Sequence, residues 1–218
     1  MAVQYKVLEL ENLPTTRATE IDYENDFKLI KEIIAKIKKT MKKNNLTSLS
    51  APAVGYNKRI FCVDFSDKEI KTFINPMILV TNGMELTREV CSSITNKEFI
   101  RPRYSTIDII YQTPGGTIKQ THFKGMASTV IQHELDHLDA ITLSDIGLEI
   151  DSDFDEATDE ERFEIINMYL SSLNTKHDTL IDEIKQDKIM NITYESEKVA
   201  ELVAQGKIKF EPLKEKEK

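Results

Sequence analysis

The chain has 218 residues, of which 40% are hydrophobic and 30% are charged, and its formal net charge is −8. This size and composition allow one globular domain with an appended module. The negative net charge argues against a protein that binds nucleic acid over its whole surface. With no apolar run of 18 residues, no recognisable leader and only two cysteines, the sequence predicts a cytoplasmic protein without membrane spans or a disulfide scaffold.

The first strong pattern in chain order is an amphipathic helix. Asp22 is a suitable N-cap, and apolar residues recur at helical spacing over residues 23–43. Lysines occupy much of the remaining surface, and we interpret them as a solvated helix face rather than a binding surface for an acidic partner. Residues 46–56 are predicted to form a loop or short extended segment, because Pro52 and Gly55 break regular structure.

The middle of the chain is rich in β-forming residues. Turns are predicted at residues 82–83 and 113–116, and Asn75-Pro76 is expected to interrupt one strand. A helix is predicted to follow Gly125 and to run to about Leu138. The predicted extended segments are residues 59–65, 70–80, 84–94, 106–111 and 117–123. This order predicts an α+β domain, in which a mostly antiparallel sheet packs around a central helix.

The composition changes near residue 151. Acidic residues are concentrated immediately after it, and helical periodicity follows. We therefore predict one α+β domain over residues 1–150 and an acidic, mainly helical C-terminal extension over residues 151–218. The extension is interpreted as a helical packing element or a dimer contact.

The sharpest chemical signal is an H-E-x-x-H sequence at residues 133–137, which read HELDH. Residues i and i+4 of a helix lie on one face, so the imidazoles of His133 and His137 can bind one metal ion. Glu134 lies beside them, where it can take a proton from water at the metal. The motif therefore predicts a metal-dependent hydrolase.

The helix face that carries the two histidines is predicted to point inward. Met126, Val130, His133 and His137 follow one another at steps of four, three and four residues, which places them on one line. Two hydrogen-bonded core histidines would also fit, but their spacing around a glutamate favours a metal site. Asp136 is interpreted either as a residue that orients a ligand or as an exposed surface residue.

A catalytic metal site of this kind needs a third protein ligand and one open position. Cys91 is one candidate, since a thiolate binds metals strongly, although taken alone it fits a small buried strand residue equally well. Glu149 and Asp145 are the other candidates, because zinc endopeptidases take their third ligand from downstream. Cys62, inside an apolar strand, is interpreted as structural.

Three segments of the chain resemble the motifs of the peptide deformylase family. Residues 132–140 read QHELDHLDA, close to the family's QHExDHLxG, and residues 89–93 read EVCSS, close to EGCLS. Residues 46–53 read LTSLSAPA in place of GxGxAAxQ. The resemblance covers residues 25–147 and implies an enzyme that removes the N-formyl group from the N-terminal methionine of new polypeptides.

The resemblance also implies a cofactor and a set of site residues. The family binds one divalent metal ion, ferrous iron in preference to zinc, nickel or cobalt, through one cysteine and two histidines. The implied residues are Cys91, His133 and His137 as metal ligands, Glu134 as the catalytic residue, the backbone N–H of Ser92 as an oxyanion donor, and Glu89 as the partner of Arg103.

Several motif positions depart from the family pattern. Ala53 replaces a glutamine that donates a hydrogen bond to the substrate oxygen, and the loss of one such donor slows turnover by about 10²- to 10³-fold. The other departures are Leu46 and Ser48 in place of glycines, and Val90 and Ser92 in place of glycine and leucine. We therefore expect a slow deformylase or one of altered specificity, with a cleft narrowed by the added side chains.

Two other functions stay open from the sequence alone. One is an endopeptidase that uses Glu149 or Asp145 as its third ligand, and the other is a degenerate relative that binds metal in a non-catalytic binding or structural role. The resemblance implies a formylated nascent polypeptide as substrate and the ribosome as a further partner. No DNA or membrane partner is expected, and the sequence does not fix the oligomeric state.

Overall fold

The computed structural model of the protein describes residues 5–65 and 69–173. Within these ranges the helices are α1 (Phe27–Asn44), α2 (Met126–Leu138), α3 (Leu143–Ile146) and α4 (Ser152–Glu156), and residues 159–173 are also helical. The strands are β1 (Ser48–Ser50), β2 (Ile60–Val63), β3 (Lys71–Asn82), β4 (Glu85–Cys91), β5 (Ile94–Arg103), β6 (Thr106–Gln112), β7 (Ile118–Lys124) and β8 (Leu148–Ile150).

All pairings between these strands are antiparallel. They form a five-stranded sheet in the order β1-β2-β3-β6-β7 and a three-stranded sheet in the order β4-β5-β8. The HELDH helix α2 contacts β1, β2, β5 and β7, so it touches both sheets. The predicted α+β architecture around this helix is confirmed.

The chain divides into two compact units, Met1–Glu156 and Ala157–Lys218. Residues 159–173 of the second unit are helical, as expected for the C-terminal extension. The remainder of that extension, residues 174–218, lies outside the described residues. In the part of the chain that the structure describes, no helix is both long and apolar enough to cross a membrane.

Helix α1 begins later than the sequence pattern predicts. Its N-cap is Asp26 rather than Asp22, and the first helical residue is Phe27. The Asp22 carboxylate accepts a hydrogen bond from the Glu24 N–H at 2.9 Å, and the Asp22 carbonyl accepts one from the Asp26 N–H at 2.7 Å. These bonds form a separate turn ahead of the helix, because a short acidic side chain bonds readily to nearby backbone N–H groups.

Two apolar clusters use side chains from opposite faces of the five-stranded sheet. Successive strand residues point to opposite faces, so Phe61 and Cys62 enter different clusters. The first cluster joins α1 to the sheet through Ile30, Ile33, Ile37, Leu49, Cys62 and Ile74. The second joins α2 to the sheet through Phe61, Phe73, Ile107, Ile109, Ile131, Leu135 and Leu138. The sheet therefore fixes the position of the HELDH helix.

The interruption predicted at Asn75-Pro76 is a bulge within a single strand. Strand β3 continues through these residues, but its pairing with β6 shifts in register between Ile74 and Met77. Asn75 has φ 48°, and its side chain bonds both the N–H and the carbonyl of Ile21, at 2.8 and 2.9 Å. These side-chain bonds hold the irregular backbone in place, so the strand bends without ending.

A short N-terminal segment joins two distant parts of the domain. The Leu8 N–H donates a hydrogen bond to the Ala53 carbonyl at 2.8 Å, and the Leu10 N–H donates one to the Ser93 carbonyl at 2.9 Å. Ala53 lies in a short 3-10 helix, Pro52–Val54, and Ser93 lies in the turn between β4 and β5. Leu8 and Leu10 therefore connect the two motif segments at residues 46–53 and 89–93.

Candidate metal centre

Three side chains with metal-binding atoms converge between β4 and α2. Cys91 is the last residue of β4, and His133 and His137 lie one turn apart on α2. Their ligand atoms lie within 4.8 Å of one another, and the Cys91 Sγ is 3.3 Å from the His137 Nε2. The fold thus brings together the three residues that the resemblance implies.

The downstream candidates for a third ligand lie elsewhere. The Glu149 carboxylate is half-exposed and pairs with the Lys97 ammonium at 2.8 Å. The Asp145 carboxylate accepts hydrogen bonds from the N–H and hydroxyl of Thr142, both at 2.7 Å, and caps α3. Both carboxylates bind other groups of the protein, so neither is placed as the third metal ligand that the endopeptidase interpretation requires.

The charges around Cys91 favour a thiolate. Burial would raise the pKa of the Cys91 thiol, but hydrogen bonds and positive charge from His133 and His137 outweigh burial and lower the pKa to about 6. Burial would likewise lower the pKa of His133, yet its bonds to Cys91 and Glu89 raise the pKa to about 10. Once a binding metal ion displaces the His133 proton, a thiolate beside two imidazoles is a donor set that holds divalent transition metals well, so these residues fit such an ion.

A buried ion network orients His133. The Glu89 Oε2 lies 3.0 Å from the His133 Nδ1, and the Arg103 guanidinium pairs with both Glu89 oxygens at 2.7 and 2.8 Å. Burial would raise the pKa of Glu89, but the bonds from Arg103 and His133 hold it well below its usual range. Because Glu89 bonds the Nδ1 of His133, the Nε2 of the ring is left available to a metal.

Asp136 belongs to the same network and is not a free surface residue. Its carboxylate is 2.5 Å from Nη1 of Arg103 and also bonds the Arg101 guanidinium. The side chain of Asp136 is only 18% exposed, which decides between the two interpretations left open by the sequence. Asp136 therefore helps to hold Arg103, and through it Glu89 and His133.

The two oxygens of the Glu134 carboxylate differ in their surroundings. Oε1 accepts a hydrogen bond from the Ser48 Oγ at 2.6 Å. Oε2 is buried and has no hydrogen-bond partner among the described residues. An unpaired buried carboxylate oxygen is costly, so it indicates a partner such as water or substrate at this point. The negative charge of Glu134 helps to raise the pKa of His133, so this carboxylate lies near the candidate ligands.

The predicted inward-facing line of α2 is only partly correct. His137 is buried, but Met126 at its start is 75% exposed. Met126 is the first helical residue, directly after Gly125 at φ 56°, and the apolar face that packs on the sheet is made by Ile131, Leu135 and Leu138 instead. The histidines lie beside this face, where α2 meets the end of β4.

The departures from the motifs have different consequences in the fold. Val90 is 65% exposed and alternates with Glu89 and Cys91, so it points to the face of β4 away from the candidate ligands and does not narrow their surroundings. Ser92 is exposed in the turn directly after Cys91. Ala53 is 2% exposed within the first apolar cluster and offers no side-chain donor.

Sequence reasoning missed two further residues. Ser48, noted only as a replacement for glycine, bonds Glu134, and Gln132 fixes the start of the loop after β5. The Gln132 side-chain amide accepts a hydrogen bond from the Tyr104 N–H at 3.0 Å and donates one to the Tyr104 carbonyl at 2.9 Å. A polar residue at a buried helix position beside the motif was the available signal for Gln132.

A cysteine and two histidines near a buried carboxylate oxygen that has no hydrogen-bond partner among the described residues are a combination typical of mononuclear metallohydrolases. The family model of polypeptide deformylase matches residues 7–149. The peptide deformylase of Dictyoglomus thermophilum is 38% identical over 120 residues, which are 55% of this chain and 78% of the relative. The chain belongs to the peptide deformylase family. Its members are metal-dependent hydrolases that remove the N-formyl group from nascent peptides, and this chain is an enzyme of that type.

Solved structures agree with this family. The peptide deformylase of Thermotoga maritima superposes with a TM-score of 0.60 at 28% identity, covering 65% of this chain and 96% of its own. A probable peptide deformylase from Synechococcus phage S-SSM7 gives a TM-score of 0.58 at 27% identity, covering 64% of this chain and 97% of its own. In both comparisons nearly the whole relative is matched, and about a third of this chain extends beyond it.

Proposed function

We propose that Cys91, His133 and His137 hold one divalent metal ion at the deformylase active site, and that Glu134 is its catalytic base. The proposal is supported by donor atoms within 4.8 Å of one another, by the lowered pKa of the Cys91 thiol, and by the Oε2 of Glu134, which no described residue bonds. Ferrous iron is the ion that we propose, with zinc, nickel and cobalt as alternatives that the same donors accept.

A divalent ion held by Cys91, His133 and His137 would supply Lewis acidity toward the formyl carbonyl and toward water. The Oε2 of Glu134 accepts a proton from the attacking water, which adds to the formyl carbon. The backbone N–H of Ser92 donates a hydrogen bond to the formyl oxygen as negative charge develops there. Glu134 then returns the proton to the leaving amine nitrogen, and formate and a free N-terminus result.

Two cysteines in one chain allow a matched test of the ligand assignment. Cys91→Ser is expected to lose metal affinity by more than the 10- to 100-fold that removal of an outer hydrogen-bond partner typically costs, because it removes a thiolate ligand. Cys62→Ser should keep metal and activity, because Cys62 is fully buried in the strand core and bonds Thr72 at 3.4 Å.

The measurement is formate release from formyl-Met-Ala-Ser by anaerobically purified, iron- or nickel-loaded protein, with the metal content determined on the same samples. Formate from the wild type and from Cys62→Ser, but not from Cys91→Ser, is the expected result. Full metal binding by Cys91→Ser would contradict the ligand assignment. A fully loaded wild type that releases no formate would instead favour the non-catalytic relative, which the missing donor at Ala53 motivates.

We further propose that the enzyme works in the cytoplasm on chains still attached to the ribosome. The support is the substrate class of the family, since nascent peptides carry the formyl group where they are made. Co-sedimentation of the full chain with ribosomes in a cell extract tests this proposal. Recovery of the protein only in the ribosome-free fraction, at low salt, would contradict it.

A further inference from the structure

We propose that Ser48 is a positioning residue for Glu134, resting on the role of Glu134 in the proposed function. The Ser48 Oγ donates a hydrogen bond to the Glu134 Oε1 at 2.6 Å, across 86 positions of sequence. Hydrogen bonds to a carboxylate are about twice as strong as neutral ones, so this contact is well suited to fix the rotation of the carboxylate group.

The bond from Ser48 makes the two oxygens of the Glu134 carboxylate different. With Oε1 held by the hydroxyl, the buried Oε2 is the oxygen left without a partner among the described residues. Because the two oxygens belong to one planar carboxylate, a bond that holds Oε1 also restricts the positions that Oε2 can take. Without the hydroxyl, neither oxygen of Glu134 keeps a hydrogen bond found in the described part of the chain, and the group can rotate.

The position of Ser48 in the fold makes the contact rigid. Ser48 is the first residue of β1, which pairs with β2 in the register Ser48 to Val63, and its neighbour Leu49 is buried in the cluster under α1. The backbone of Ser48 is therefore fixed on one side of α2 and its hydroxyl reaches the helix. A glycine here, as in the related motif, would leave the strand in place but supply no donor.

The same strand offers a matched control. Ser50 lies two residues further along β1, so its side chain points to the same face as that of Ser48. Its hydroxyl is fully buried and has no hydrogen-bond partner among the described residues. Ser50→Ala therefore removes the same atom from the same strand face without removing a bond to Glu134.

In the metal-loaded enzyme, Ser48→Ala is expected to lower kcat for formate release about 10- to 100-fold, the effect of losing one hydrogen bond to a charged group, with KM changed less than about twofold. Ser48→Thr keeps the hydroxyl and should restore the rate, and Ser50→Ala should match the wild type. Adding Ser48→Ala to Glu134→Gln should slow the reaction no further, because both changes act on the same proton transfer.

A second readout does not depend on turnover. In zinc-loaded protein, the infrared difference between wild type and Glu134→Gln isolates the Glu134 carboxylate band, which should shift in Ser48→Ala and return in Ser48→Thr. An unshifted band in Ser48→Ala, equal rates for Ser48→Ala and Ser50→Ala, or a rate gain in Ser48→Ala would each overturn the inference. Failure of the proposed function appears separately, as a wild type that releases no formate.

Discussion

Glu134→Gln is expected to keep the metal content of the wild type and to lower kcat for formate release about 10²- to 10⁴-fold, the usual contribution of general acid–base catalysis. The amide has the shape of the carboxylate and its oxygen can still accept the Ser48 hydroxyl, so the contact between α2 and β1 is retained. It cannot take a proton from water at neutral pH. Formate release and metal content, measured on one preparation, check both halves of this expectation.

The matched control for this change is Glu149→Gln. Glu149 is a half-exposed carboxylate paired with Lys97 on β5, so its neutralisation should leave the rate and the metal content unchanged. A Glu134→Gln enzyme within tenfold of the wild type would mean that another group takes the proton. Loss of metal from Glu149→Gln would reopen the endopeptidase arrangement, in which a downstream carboxylate is a ligand.

Arg103→Met should destabilise the domain by about 3 to 5 kcal/mol, the usual cost of removing one partner from a buried ion pair. The Arg103 side chain is 2% exposed and pairs with both Glu89 and Asp136, so the change leaves buried Glu89 without its guanidinium and leaves Asp136 paired with Arg101 alone. Metal affinity should also fall about 10- to 100-fold, because Glu89 would no longer be held against His133. Urea unfolding and metal titration measure the two effects.

Arg88→Met supplies the comparison for Arg103. The Arg88 guanidinium also pairs with two carboxylates, those of Glu98 and Asp155, but its side chain is 50% exposed. Exposed ion pairs contribute about 0 to 1 kcal/mol, so this change should lower the stability little and leave the metal affinity unchanged. If both arginine variants unfolded at the same urea concentration, the network around Glu89 would have no special part in stability.

The sequence was sufficient for the local chemistry of α2. The i, i+4 spacing places His133 and His137 on one helix face whatever the rest of the fold does, because helix geometry alone fixes it. The choice of Cys91 over Glu149 as the third metal ligand needed the resemblance to a family. Cys91 on β4 reaches α2 only through the packing of the two sheets, which no local sequence pattern predicts. The structure supports that choice by bringing the Cys91 Sγ to the His137 imidazole.

Other features could not be read from one sequence. Asp22 and Asp26 are equally good caps by residue type, and the turn that selects Asp26 depends on backbone bonds around Asp22. The contact between Ser48 and Glu134 joins segments 86 residues apart, and no periodic pattern links them. Met126 was expected to be buried because the helical pattern places it on the inward face of α2. The pattern cannot predict where the neighbouring sheet ends, and Met126 is exposed.

The two hydrogen bonds of the N-terminal segment make it a reporter of motion at the site. Because the Leu8 N–H bonds the carbonyl of Ala53 and the Leu10 N–H bonds that of Ser93, each amide exchanges with solvent deuterium only when its own contact opens. One short peptide in a hydrogen–deuterium exchange experiment therefore records the opening of both motif segments. Slower exchange at both amides on metal addition would mean that the segments at residues 46–53 and 89–93 close together.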